Sequence, residues 1–312
     1  MDQKTSISYP LQFAILLGLM GLFMIISAVL LALMGTGMLH VPLKEMPLAM
    51  NRPENADIAR LLNTLAAVLI FLFPAIILAR IISRRPFAWL GFNTTIGSKQ
   101  VLLVILITFG GMVLSGALGE LNERIPIPAK WWAKAKALEE TYKAAMMAMA
   151  QMKNVSDYVL SLLVLAAAPA VFEEVLFRGG FQQVFVGWTK SKWAGIIITS
   201  ILFSVVHISY FGFLPRLALG IVLGLVFFYS KNIWLNILLH FLNNAFVVTQ
   251  LYIVSRQGKS IEKAMDETIP MWWGLIAVAL LVIFFRHFKR QSDTVLASKE
   301  KQIPSSSENM IS

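Results

Sequence analysis

The amino-acid sequence predicts an all-α, polytopic membrane helix bundle with about eight transmembrane helices. Three observations predict it. Of 312 residues, 57% are hydrophobic and only 14% are charged, where a soluble domain of this length carries about 25% charged residues. The apolar residues gather into runs, and several approach the roughly 20 residues that cross a hydrocarbon core. The basic residues flank those runs and form no single stripe, a distribution that fixes topology and meets anionic lipid. Nucleic acid is therefore not expected as a partner, despite a net charge of +10. With no cysteine in the chain, disulfide and thiolate chemistry are excluded.

Eight runs are expected to span, near 11–34, 61–79, 101–118, 158–181, 194–211, 213–230, 232–255 and 270–285. The first is too long for a signal-peptide core and lacks a small-residue cleavage site, so it is read as a retained helix. The loop stretch Trp131 to Met152 is rich in Ala, Leu and Met, which favour helix. Its two leading tryptophans suit the headgroup layer, so an interfacial helix or a solvated connector is expected. After about residue 291 the chain is polar and serine-rich, the composition of a disordered tail. The chain divides into N-terminal membrane helices over 1–155, a central unit over 156–255, and a last helix with its tail over 256–312.

Loop charge sets the orientation. Arg80, Arg84, Arg85 and Lys99 share one link, Lys190 and Lys192 another, Lys231 a third, and Arg286, Lys289 and Arg290 open the tail. The other loops mix signs, as in Lys134 and Lys136 against Glu139 and Glu140. Both termini and the basic loops are expected in the cytoplasm.

Charge inside a membrane costs on the order of 2.5–3.5 kcal/mol per residue on insertion scales, so residues that carry it there are usually functional. Between Asp157 and Glu262 the chain has only two carboxylates, and they are adjacent: Glu173 and Glu174. Arg178 follows. On a helix, residues four apart are offset by about 40°, so Glu174 faces Arg178 as its ion-pair partner. Glu173 is rotated about 100° from Glu174 and lacks a local partner, which suits a general base. His207 and His240 lie inside apolar runs, and Asn244 shares a helix face with His240 while Asn243 points away. An imidazole and a carboxamide on one face can donate to a developing oxyanion. Singly, each feature also has a structural reading, as a bundle-interior histidine, a helix lock or amide glue. Their concentration on three runs, between residues 173 and 244, points to a catalytic set.

Glu173-Glu174-x-x-x-Arg178, Phe203-x-x-x-His207 and His240-x-x-x-Asn244 resemble the three signature motifs of the CPBP family. That family comprises the CAAX proteases and bacteriocin-processing (ABI) proteins, and it includes the Ras-converting CAAX prenyl endopeptidase. The resemblance implies an intramembrane endopeptidase in which Glu173 and His207 activate water while His240 and Asn244 form the oxyanion hole. It implies that Glu174 and Arg178 hold the site in shape, and that Phe203 packs beside His207.

Two histidines and a glutamate can ligate zinc, and the family was long grouped with metalloproteases. There is no HExxH, however, and each ligand comes from a separate run, so a metal-free glutamic mechanism without cofactor is favoured. The expected partners are a membrane-associated peptide or protein substrate and anionic lipid, and the expected place is the cell (inner) membrane with the site towards the cytoplasm. A prenylated CAAX peptide, a signal-peptide remnant, a pheromone and a bacteriocin leader all remain open as substrates. Two competing functions are a catalytically silent scaffold or immunity protein and a proton-coupled transporter.

Overall fold

The structure is a computed structural model that describes residues 7–150, 152–259 and 269–302. Nine long helices make it up among the described residues: α1 Tyr9–Leu39, α2 Pro53–Ile82, α3 Ser98–Glu123, α4 Ala129–Met149, α5 Val155–Thr189, α6 Lys192–Val205, α7 Phe213–Ser230, α8 Ile233–Arg256 and α9 Trp273–Gln302. Six of them (α1, α2, α3, α5, α7 and α8) are long and apolar enough to cross a membrane. The chain is a multi-pass membrane protein. Of the other two expected spans, α6 is apolar but has only 14 residues, and α9 is apolar only over its first half. Large apolar side chains such as Ile25 at 67%, Leu33 at 67% and Leu275 at 77% stand exposed on the outer surface, as lipid-facing positions do.

Local chemistry sets the helix ends. Lys190 and Lys231 close α5 and α7 in the left-handed conformation, with φ of 56° and 52°. The residue after each lysine caps the next helix: Ser191 accepts from the Ala194 N–H and Asn232 from the Trp234 N–H. Each cap satisfies an N–H that the first turn leaves free. Two tight turns of the same design therefore join α5 to α6 and α7 to α8.

Two expectations about helix length are corrected. The fourth run was expected to end near residue 181; α5 instead continues to Thr189, and Glu173 sits near the middle of 35 residues. The extension is held by Gln182 and Gln183, whose Nε2 groups donate to the carbonyls of Gly224, Trp89 and Gly179. The tail is not disordered from residue 291, because α9 runs on to Gln302. Ser292 is fully buried there and accepts from Gln100 of α3 at 3.0 Å, and Lys289 pairs with Asp293 one turn on. The rest of the tail lies outside the described residues.

α2 and α5 are not regular. Each contains a π-helical stretch just before a proline: Val68–Leu72 before Pro74, and Leu162–Ala167 before Pro169. Proline has no N–H for the carbonyl four residues back, and the wider turn absorbs that defect. A third π stretch, Val175–Gln182, carries Arg178. The helix behind it, α7, approaches α6 closely through two glycines. A methyl group on Gly220 would lie 2.9 Å from the Ser200 Cβ, and one on Gly224 2.8 Å from Ile196. Small residues four apart let membrane helices pack backbone to backbone.

The basic loops gather at one end of this bundle. A cavity of about 1040 Å³ opens at the other, lined by α4, the α6–α7 turn and the later halves of α3 and α8.

Candidate active site

The site is built from α5, α6 and α8, with α7 behind it. Glu174 and Arg178 are fully buried and make an ion pair of 2.9 Å across one turn of α5. Their remaining groups are mostly satisfied. The Arg178 Nη2 donates to the Gly220 carbonyl at 3.2 Å, and its guanidinium lies 4.8 Å from the Phe203 ring centre. Glu174 accepts from Asn236 Nδ2 at 3.2 Å and from His240 Nδ1 at 2.9 Å. A buried pair repays its desolvation only when extra hydrogen bonds complete it; here Glu174 receives two beyond the arginine. Its carboxylate, committed to an arginine, an amide and an imidazole, is a fixed anchor.

Glu173 is placed differently. Its side chain is 12% exposed, and its Oε2 lies 3.9 Å from His207 Nε2 and 4.0 Å from His240 Nε2. That oxygen is buried and has no hydrogen-bond partner. A gap of this size between two polar atoms fits one water at about 2.8 Å from each.

A backbone carbonyl and a carboxylate fix which histidine nitrogen faces that gap. His207 Nδ1 donates to the Phe203 carbonyl at 2.7 Å, and a carbonyl can only accept. His240 Nδ1 donates to Glu174. Each neutral ring therefore presents a bare Nε2 lone pair towards Glu173. Phe203 holds both rings, with its centre 5.0 Å from His207 and 5.9 Å from His240.

Among the sequence-predicted residues, Glu173, His207 and His240 converge, with Glu174, Arg178 and Phe203 directly behind them. Asn244 is on the same face of α8 as His240, but its amide is engaged: Nδ2 donates to the Leu165 carbonyl at 3.4 Å and Oδ1 accepts from Asn243. Asn243 therefore touches the set it was expected to avoid. Two supporting residues escaped sequence reasoning, Asn236 and Gln182. Both carried a signal. Asn236 precedes His240 by four residues and Gln182 follows Arg178 by four, so each extends a polar file already recognised.

The donor set is one zinc accepts in principle. Among the described residues, however, no group of three or more His, Cys, Asp or Glu is disposed to hold a metal ion.

Residues 155–246, which carry all three motifs, match the family described as "Type II CAAX prenyl endopeptidase Rce1-like". Over these residues the chain is similar to a CAAX-protease domain. This domain begins with α5 and ends within α8, so it takes in every residue of the convergent set and leaves α1–α4 and α9 outside the match. No curated protein and no solved structure matches the chain.

Proposed function

We propose that this chain is an intramembrane endopeptidase of the glutamic type, which hydrolyses a peptide bond of a membrane-associated substrate. One observation carries the reading: the unpartnered Glu173 Oε2 lies between two Nε2 atoms whose tautomers are fixed from behind. A water held there is within reach of a carboxylate base and an imidazole. Glu173 takes the water's proton while its oxygen attacks the scissile carbonyl carbon. The carbonyl π pair moves onto oxygen as an oxyanion, which collapses as the C–N bond breaks and the held proton passes to the leaving amine.

His240 can steady that oxyanion from Nε2 only as an imidazolium, because its Nδ1 proton is already given to Glu174. Asn244 joins as a second donor when its amide turns from Leu165. No metal step is needed; stoichiometric zinc lost together with activity on chelation would overturn that part. Glu173→Ala and His207→Ala should each abolish cleavage while expression and membrane insertion persist, and activity surviving in either sinks the assignment.

The place of action is the cell membrane, with the basic loops on the cytoplasmic side against anionic lipid. The large cavity, whose lining includes Ser209 and Asn243, opens at the end opposite Lys190, Lys192 and Lys231, so an orientation fixed by those lysines turns its mouth outward.

A further inference from the structure

His207 does not sit on regular helix. α6 ends at Val205, so the histidine lies two residues beyond it, in the turn that leads to α7. Its N–H reaches only the Ser204 carbonyl, three residues back, at 3.3 Å. The next residue, Ile208, has a φ of 50°. A β-branched side chain in the left-handed region is strained, and such a conformation persists only where surrounding groups over-determine it. Two of those groups lie outside residues 155–246. Asn122, one residue before the end of α3, is 2% exposed and spends both ends of its amide on the turn. Its Nδ2 donates to the Tyr210 carbonyl at 3.0 Å, and its Oδ1 accepts from the Leu214 N–H at 2.8 Å. From α4, Glu139 accepts from the Ser209 hydroxyl at 2.8 Å, and the same hydroxyl accepts from the Gly212 N–H at 3.1 Å. Trp132, two turns earlier on α4, meets the Phe211 ring edge-on, with centres 6.3 Å apart.

Resting on the peptidase reading above, we propose that Asn122 and Glu139 are positioning residues for His207, a clamp that α3 and α4 supply to the catalytic turn. Each holds a backbone group or a hydroxyl between Ser209 and Leu214, so both act through the turn. His207 Nδ1 meets the Phe203 carbonyl only while the backbone between them keeps its course. A turn that swings by about an ångström carries Nε2 away from the Glu173 Oε2 that it faces at 3.9 Å. Misplacement of that size can cost about a hundredfold in rate. The helices that precede residues 155–246 therefore finish a site whose motifs all lie within them.

The test uses the full chain in nanodiscs, with an internally quenched prenylated CAAX peptide as the probe substrate. Asn122→Ala should lower kcat roughly tenfold to a hundredfold and leave KM close to wild type, since Asn122 is not among the residues that line the cavity. Glu139→Ala should lower kcat in the same direction. Glu139→Gln, which keeps an oxygen for Ser209, should recover most of that loss. Amide hydrogen exchange, which needs no substrate, is read on the same preparations, and both alanine variants should exchange faster only over residues 207–214. If Asn122→Ala does not fold, the two Glu139 variants decide alone. Unchanged kcat in the alanine variants, or a Gln variant no better than Ala, overturns the proposal. So does faster exchange spread through the bundle, which would make the contacts general supports. Faster exchange confined to the turn, in a protein whose wild type cuts nothing, keeps the clamp and removes the peptidase reading. Undisturbed exchange in both alanine variants overturns the clamp whatever the cleavage.

Discussion

Asn244 of α8 donates to the carbonyl of Leu165 in α5, 3.4 Å away. Leu165 is four residues before Pro169, so it is the carbonyl that a regular helix would pair with residue 169, where proline has no N–H to give. The amide of one motif residue is thus spent on a defect made by the proline beside another. This gives Asn244 a structural role besides the proposed chemical one, and the two can be separated. In a double-mutant cycle, Asn244→Ala should lose about 1 kcal/mol of stability alone and less in a Pro169→Ala background. The loss of activity, on the order of 10²–10³-fold for an oxyanion donor, should be the same in both backgrounds. Activity restored by Pro169→Ala would leave Asn244 only a structural part.

Glu173 and Glu174 are neighbours with opposite roles, so Gln at each should give opposite phenotypes. Glu174→Gln leaves Arg178 buried against a neutral group, which should cost about 3–5 kcal/mol, read as a fall in the unfolding midpoint in detergent. Glu173→Gln should leave that midpoint at or above wild type while cleavage disappears. Equal destabilisation by both would contradict the division.

The side on which the cavity opens can be read directly, because the chain has no cysteine of its own. With Lys136→Cys on α4 and Lys190→Cys between α5 and α6, an impermeant maleimide added to whole cells should label the first and spare the second. The reverse pattern would turn the protein over and return the site to the cytoplasmic face.

Gly220 keeps α7 against α6 and gives its carbonyl to Arg178. Gly220→Val should cost about 1–3 kcal/mol through overpacking and lower activity as well, since it pushes away one of the groups that seat the arginine. Thermal unfolding and cleavage measured on the same preparation check this, and a variant that loses neither would show the contact to be slack.

Much of the site was legible because its signals are local. Glu174 and Arg178 meet as their four-residue spacing requires, and Glu173 was separable from them by rotation alone. His207 and His240 stood out as polar groups in apolar runs. What was not legible depends on other helices. The proton positions on the two histidines follow from Phe203 and Glu174, the Asn244 contact from a proline on α5, and the length of α9 from Gln100 meeting Ser292. The place where the cavity opens was not legible for the same reason. Loop charge reports which end of the bundle stays inside, but only packing decides at which end a cavity opens.

The π stretch at Leu162–Ala167 also bears on insertions and deletions. A bond from each residue to the fifth before it encloses one residue more than an α-turn does. Removing a single residue there leaves an ordinary α-turn with both flanks still in phase, whereas removing one from Ala168–Glu174 rotates everything beyond it by about 100°. A single-residue deletion scan along α5 should therefore find its tolerant positions in the π stretches, upstream of Pro169 and, where Arg178 is spared, within Val175–Gln182, in a helix otherwise intolerant of frame shifts.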